Sequence, residues 1–379
     1  MEKIYYWSPC LNKVGTYKST INSAISLSRY SKKNYQIKII NTCGEWNDSK
    51  ELFRLNNIEV IHFGYNYFRY LPKAGFIGSR LSYLIIILTS TIPLIKLLNK
   101  DKPEFLIMHL ITLLPLLLTR YFKNSTKFIL RISGYPKLNF LRKSIWKFTA
   151  NYLSKITCPS KDLIFQLIKQ KIFLKEKLYF LPDPILNINE ILKKKRESIN
   201  EYDYKKKYFI SVGRLTKQKN FDYLIDEFKF FFNNNSDYNL LIFGEGELKD
   251  ELKDKIKKNH LNDNVFLMGH SNNVYKHMIN AEAFILSSLW EDPGFVLIEA
   301  AMCNLFIVSS NCKNGPNEFL DSGKGGILFE NNKKEALKNA LNEFLLEKNK
   351  KNKMILSKKR SKKYTLYRHY SYFKKAILD

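Results

Sequence analysis

The sequence predicts an α/β protein of two parallel-sheet domains, and three observations carry that prediction. Short apolar runs such as "YQIKIINTC", "IEVIHFG" and "EFLIMHL" alternate with amphipathic stretches through the first half. That is the pattern of strands joined by helical crossovers. After a densely charged stretch the same alternation starts again. The length, 379 residues, is long for one ordinary domain and comfortable for two.

The elements follow in order. "KIYYWSP" reads as a strand ending in a turn. "NKVGTYKSTINSAISLSRYS" places Gly15 ahead of a helix with Ile21, Ala24, Ile25 and Leu27 on its apolar side. Three more strands precede "KFILRISGYP", and "KITCPSKDLIFQLI" reads as strand, Pro-Ser turn and helix. Residues 188–207, "INEILKKKRESINEYDYKKK", read as a partly helical linker between a first domain, 1–187, and a second, 208–355. The second opens with the strand and turn "KYFISVGRL" and the helix "NFDYLIDEFKFFF". The strands "YNLLIFGEG", "NVFLMGH" and "AFILSS" follow, then a helix from Gly294, then "LFIVSSN" and "GGILFE". Ligands of such sheets sit at the carboxyl ends of the strands.

Two apolar runs, Leu81–Ile95 and Phe105–Thr119, each extend 15 residues without a charge. Both are shorter than the roughly 18–20 residues that span a bilayer. They are expected in the core of the first domain, with an in-plane membrane face as the alternative. The N-terminus enters a strand directly and shows no secretory signal. Five scattered cysteines form no CxxC pair, which suggests reduced thiols in the cytoplasm. Six histidines show no metal-binding spacing.

The net charge is +28, divided as +21 over residues 1–200, −2 over 201–350 and +9 over 351–379. Such asymmetry predicts one anionic partner surface.

Strand ends of the second domain gather the chemistry. Arg214 and Lys219 in "SVGRLTKQKN" are cations suited to phosphates. Gly244 and Gly246 end the next strand and are read as donor contacts, with a tight turn as the alternative. In "LWEDPGFVLIEA", Glu291 precedes a Pro293-Gly294 turn into a helix whose free N–H groups and dipole favour an anion. Glu299 lies further along that helix. "NCKNGPNEFLDSGKGG" brings Gly315, Pro316 and Glu318, the last also readable as a helix-start residue. Carboxylates repel a diphosphate but accept hydrogen bonds from vicinal hydroxyls, as an acid does on a ribose diol. Two carboxylates around a phosphate site therefore predict a nucleotide sugar. Glu291 is expected to hold the transferred sugar and Glu299 the ribose.

Glu291 to Glu299 matches the Glu-x7-Glu motif of retaining glycosyltransferases, and "SSLWEDPGFVLIEA" resembles glycosyltransferase family four of the bacterial surface-polysaccharide type. "VGRLTKQKN" is similar to that family's Arg and Lys donor-diphosphate pair. "NGPNEFLDSGKGGILF" resembles its following loop, and "ITCPSKDL" and "LPDPI" resemble the end of its first domain. The resemblance implies a GT-B fold, two Rossmann-like domains facing across a cleft. It further implies that residues 356–379 cross back to the first domain, which would then carry +30 against −2. It implies donor contacts by Pro293, Gly294, Phe295 and Val296, and by Gly15 where the family has a glycine-rich loop. His109, at a strand end, falls where the family often has a histidine near the donor sugar. Arg131 and Gly134 in "RISGYP" resemble the loop bordering the acceptor.

The expectation is a retaining transferase with Glu291, His109, Arg214 and Lys219 as its catalytic set. It would move a sugar from a nucleotide donor to a growing, lipid-linked glycan. No metal or other cofactor is expected, because the cations and helix N–H groups take the leaving diphosphate. Its place would be peripheral, on an anionic membrane at the inner face of the cytoplasmic membrane. A phosphorylase- or synthase-like enzyme on the same fold is one alternative. A basic protein binding nucleic acid or anionic polysaccharide is another, although the sequence has no nucleic-acid motif.

Overall fold

The computed structural model describes residues 2–12, 15–31, 34–73, 75–136, 138–198 and 206–378. They form two compact units. Unit 1 is Met1–Ile185 with Leu366–Asp379, and unit 2 is Leu186–Thr365.

Unit 1 is a seven-stranded sheet: β1 (Glu2–Trp7), β2 (Tyr35–Asn41), β3 (Glu59–His62), β4 (Phe105–Met108), β5 (Lys127–Arg131), β6 (Lys155–Cys158) and β7 (Leu178–Phe180). Their order is β3-β2-β1-β4-β5-β6-β7, and every pair is parallel. Ile4 to Trp7 are all buried, as a central strand covered by helices on both faces requires. Helix Gly15–Tyr30 follows β1 and buries Tyr17, Ile21, Ala24, Ile25 and Leu27. Ser23 and Ser26 are buried too, because helix Leu366–Phe373 lies over them. Ser26 Oγ donates to the Leu366 carbonyl at 2.6 Å. Leu366, Phe373, Ala376 and Ile377 join the same core as Ile4 and Ile39.

Unit 2 is a six-stranded sheet: β8 (Lys207–Val212), β9 (Tyr238–Phe243), β10 (Val265–Gly269), β11 (Ala283–Leu286), β12 (Phe306–Ser310) and β13 (Ile327–Phe329). The order is β10-β9-β8-β11-β12-β13, again all parallel. In both sheets the strand order reverses beside the first strand, at β1/β4 and at β8/β11. Those switch points open a crevice at the carboxyl ends of the strands.

The structure moves both expected boundaries. Unit 2 begins at Leu186, and the predicted linker contributes its first helix, Ile188–Lys194. Ile191 of that helix is buried, and the Lys194 carbonyl accepts from Asn273 Nδ2 at 2.8 Å. Linker residues 199–205 lie outside the described residues. At the other end, helix Lys350–Ser361 stays with unit 2. Arg360 anchors it there, donating to the Phe319 and Glu318 carbonyls at 2.6 Å each. Only the chain from Leu366 joins unit 1. The charge division is therefore +21 for unit 1 and +7 for unit 2, not +30 and −2.

The two apolar runs separate. Phe105–Thr119 forms the buried strand β4 and most of helix Leu113–Phe122. Leu81–Ile95 lies within the 26-residue helix Phe76–Asp101, and only one side of it reaches the core. All five cysteines are free and buried.

Candidate active site

The switch point of unit 2 gathers the predicted residues. After β8 the chain turns through Gly213 and Arg214 and reaches Lys219. After β11 it runs through Ser287 and Ser288 to Glu291. Backbone and side-chain bonds stitch the two loops together. Leu289 N donates to the Gln218 carbonyl at 2.8 Å, and Ser287 Oγ to the Lys219 carbonyl at 2.8 Å. Gln218 Nε2 reaches the Trp290 carbonyl at 2.9 Å. From the other side, Glu291 N donates to the Lys313 carbonyl, in the loop after β12.

These ties hold a buried ion pair. Glu291 Oε1 accepts from Lys219 Nζ at 2.5 Å and from Ser288 Oγ at 2.6 Å. The Glu291 side chain is 6% exposed and that of Lys219 14%. A carboxylate taken from water needs its lone pairs satisfied, and here an ammonium and a hydroxyl do so. The Lys219 ammonium has three donors, so others stay available beyond Glu291. Arg214 is exposed, and its side chain has no recorded partner among the described residues. It is thus placed to meet a ligand.

The loop then enters the helix. The Asp292–Pro293 peptide is cis. Gly294 adopts φ 91°, a left-handed value that favours glycine, and starts helix Phe295–Met302. The N-cap residue is Gly294, which has no side chain to bond the first N–H groups of the helix, and a helix start of this kind suits an anion. Pro293 and Gly294 are buried, whereas Phe295 and Val296 are partly exposed at the helix start. Glu299 lies one turn further in, buried, and accepts from the Tyr275 hydroxyl at 2.8 Å.

Gly244 and Gly246 form a tight turn that bare glycines permit. A Cβ on Gly244 would come 1.8 Å from the Gly213 carbonyl oxygen, and one on Gly246 2.3 Å from that of Leu215. Both glycines let the turn after β9 lie against the turn that carries Arg214. The bonds Leu215 N to the Glu245 carbonyl, 3.0 Å, and Leu248 N to the Leu215 carbonyl, 3.1 Å, lock that approach. Their visible role is to place Arg214.

The remaining candidates belong to unit 1. His109 follows β4 at that sheet's own switch point, and its N–H donates to the Trp7 carbonyl at 2.8 Å. The ring is buried. Its Nδ1 lies 3.3 Å from Thr20 Oγ1 and 3.5 Å from Ser8 Oγ, while Nε2 has no hydrogen-bond partner among the described residues. Burial, and then the Arg131 guanidinium, push its pKa well below the usual histidine value. Arg131 is not at an exposed acceptor edge. It is buried in an ion pair with Asp183 and a hydrogen bond to Ser19 Oγ, so its guanidinium is committed to the fold of unit 1. Gly134 is partly buried in the loop after β5, and Gly15 is exposed at the first turn of its helix.

Sequence reading missed Ser288, Gln218 and Tyr275. Ser288 was legible, since a hydroxyl three residues before Glu291 can turn back onto its carboxylate. Tyr275 was not, because it comes from helix Tyr275–Met278, between β10 and β11, and nothing near it in the chain points to Glu299. Among the described residues no group of three His, Cys, Asp or Glu is placed to hold a metal ion.

Two parallel Rossmann-like sheets, one with a cationic and acidic strand-end site, define the GT-B architecture. Residues 193–361, all within unit 2, match the family model described as glycosyl transferases group 1. An uncharacterized glycosyltransferase of Methanocaldococcus jannaschii is 34% identical over 254 residues, 62% of this chain and 62% of that protein. The N-acetylgalactosamine-N,N'-diacetylbacillosaminyl-diphospho-undecaprenol 4-alpha-N-acetylgalactosaminyltransferase of Campylobacter jejuni is 30% identical over 245 residues, 62% of this chain and 66% of its own length. The chain thus spans just under two thirds of these relatives. The crystal structure of Anabaena HepE in complex with UDP superposes over 100% of both chains, with a TM-score of 0.71 at 12% identity. That last likeness is one of fold.

Proposed function

We propose that the protein is a glycosyltransferase that moves a sugar from a nucleoside-diphosphate sugar to a glycan acceptor carried on a lipid. The observation that carries this reading is the buried Lys219–Glu291 pair beside the glycine-started helix Phe295–Met302. The helix N–H groups, Lys219 and Arg214 take the diphosphate as negative charge builds on it. Glu291, held by Ser288 and Lys219, meets hydroxyls of the transferred sugar, and Glu299, held by Tyr275, meets the ribose. In the transfer, the bond from the anomeric carbon to the diphosphate oxygen breaks and a bond to the acceptor oxygen forms. The acceptor's proton leaves with the diphosphate. The Glu-x7-Glu spacing supports retention at the anomeric carbon, and the cation set supports transfer without a metal. His109 is a further candidate contact of the sugar, supported by its unpartnered Nε2. The Campylobacter relative's name supports a polyprenyl-diphosphate-linked acceptor, and the HepE complex supports uridine.

A melting-shift panel of UDP, GDP, ADP and CMP, then of their sugars, tests the reading. One nucleoside diphosphate should stabilise unit 2, and its sugar should be consumed. Stabilisation by none of them, with stabilisation by oligonucleotides, would replace this reading with that of a basic binding protein.

A further inference from the structure

Helix Phe76–Asp101 is turned the wrong way round for a soluble surface helix. Its inward positions Ser82, Ile86, Ser90, Leu94 and Leu98 are all 0% exposed, and two of them are serines. Its outward positions are Ile77 at 81%, Leu81 at 50%, Leu84 at 52%, Leu88 at 66% and Ile92 at 64%. The spacing of four, three, four and four keeps these five on one face. At 1.5 Å per residue the stripe runs for about 22 Å, and the same row continues into Lys96 and Lys100. By length and composition the helix could cross a membrane. Its inward side, however, is in the core of unit 1, so it can only lie along a surface.

A second helix extends the face. On Phe140–Thr149, Phe140, Leu141 and Phe148 are exposed. A groove of about 310 Å³ joins the two helices, lined by Arg80, Leu84, Leu113, Leu141, Arg142 and Trp146 among others. A second depression beside it brings Leu88 and Ile92 together with Lys96 and Lys100. Burial and then the neighbouring Arg80 guanidinium lower the Arg142 pKa from its usual value.

Charge selects the occupant. The sequence has no Asp or Glu from residue 60 to 100, nor from 105 to 161. The three helices Phe76–Asp101, Leu113–Phe122 and Phe140–Thr149 contain seven Lys and Arg and one acid, Asp101. That acid accepts a bond from the Tyr5 hydroxyl of β1. A second copy of the chain would set these cations against each other. A nucleic acid would leave the leucines in water. An anionic leaflet satisfies both, with phosphates for the cations and acyl chains for the stripe.

We infer that the outward face of helix Phe76–Asp101, with the exposed end of helix Phe140–Thr149, docks in the plane of a leaflet rich in anionic lipid. The inference does not rest on the enzymatic reading. The intact chain is sedimented with vesicles of phosphatidylglycerol and phosphatidylcholine, and with phosphatidylcholine alone. It should bind the first far better, and salt should weaken that binding without abolishing it. The double variant Leu84→Asp/Leu88→Asp should partition at least about tenfold less. Its melting temperature and its shift with nucleoside diphosphate should be unchanged, since both side chains are exposed on unit 1. Leu346→Asp, at a still more exposed leucine of unit 2, should bind as the wild type does. Three results would overturn the inference: a wild type that ignores anionic vesicles, equal binding to neutral ones, or a double variant that binds normally. Binding wholly abolished by salt would reduce the face to a charge patch and overturn it equally.

Discussion

Lys219 and Glu291 are buried together, so substitutions at Glu291 report two different things. Glu291→Ala leaves Lys219 half-desolvated without its counter-charge, and should cost on the order of 3 kcal/mol of stability in unit 2. Glu291→Gln keeps an oxygen for Lys219 and Ser288 and is the better probe of chemistry. It should fold with near-normal nucleoside-diphosphate affinity and lose most of its turnover. Turnover within a few-fold of wild type in the Gln variant would remove Glu291 from the donor sugar. A second residue-scale prediction concerns His369. Its Nδ1 lies 2.7 Å from the Pro182 carbonyl, which can only accept, so Nδ1 carries the proton. Nε2 then accepts from Ser23 Oγ at 2.8 Å, and Ser23 in turn accepts from the Tyr6 hydroxyl at 2.9 Å. Burial and then Arg131 push the His369 pKa down to about 3. The unfolded ring titrates near 6.5. Between those values the unfolded state binds the extra proton. The stabilisation is thus complete above about pH 6.5 and is lost at roughly 1.4 kcal/mol per pH unit as the pH falls. His109 acts in the same direction. Glu45, whose carboxyl burial raises, acts in the opposite one, so the comparison with His369→Gln is the readout. Denaturant unfolding from about pH 7 to 4 should show a shallower slope for the variant. Parallel slopes would contradict a buried neutral ring.

At the scale of elements, the turn after β9 is an instance of what the sequence conceals. Gly244-x-Gly246 reads as a donor contact or a tight turn, and what the sequence does not show is that the space beside each glycine is taken by the backbone that carries Arg214. Gly244→Ala combines that clash with a φ of 142°, and should destabilise unit 2 by roughly 1–3 kcal/mol. It should also weaken donor binding through a displaced Arg214. Normal affinity and melting would show that the turn tolerates the shift. Strands, crossovers and the Glu291–Glu299 helix were legible because each is a local pattern: an apolar run, a Pro-Gly turn, a spacing of eight. What escaped depends on pairings distant in sequence. Tyr275 meets Glu299 from another element, and Asp183 captures Arg131 from 52 residues away. The outward stripe of Phe76–Asp101 stood in the sequence only as the alternative to a buried core, for a related reason. Periodicity finds an apolar face but does not say which side of the helix the core takes, and here the core took Ser82 and Ser90.

At the scale of the molecule, the tail was expected to cross to the first domain from residue 356, and the part that joins the core of unit 1 begins at Leu366. Deleting residues 366–379 removes Leu366, Phe373, Ala376 and Ile377 from the cluster that includes Ile4, Ile25 and Ile39. It also uncovers Ser23 and Ser26, whose hydroxyls lose His369 and the Leu366 carbonyl. Losing one large buried side chain typically costs 2–5 kcal/mol, and several lost together rival the whole stability of a domain, about 5–15 kcal/mol. The deletion should therefore unfold unit 1 at ordinary temperature. Unit 2, with its own core around Phe209, Phe228 and Leu240, keeps Arg214, Lys219, Glu291 and Glu299. Nucleoside diphosphate should still raise its melting point by mass action. Calorimetry of the deletion variant should thus show one nucleotide-responsive transition in place of the full heat of the intact chain. A variant that keeps the full heat and both folded units would mean that helix Leu366–Phe373 is dispensable. A variant that loses nucleotide response as well would mean that the two units do not fold independently.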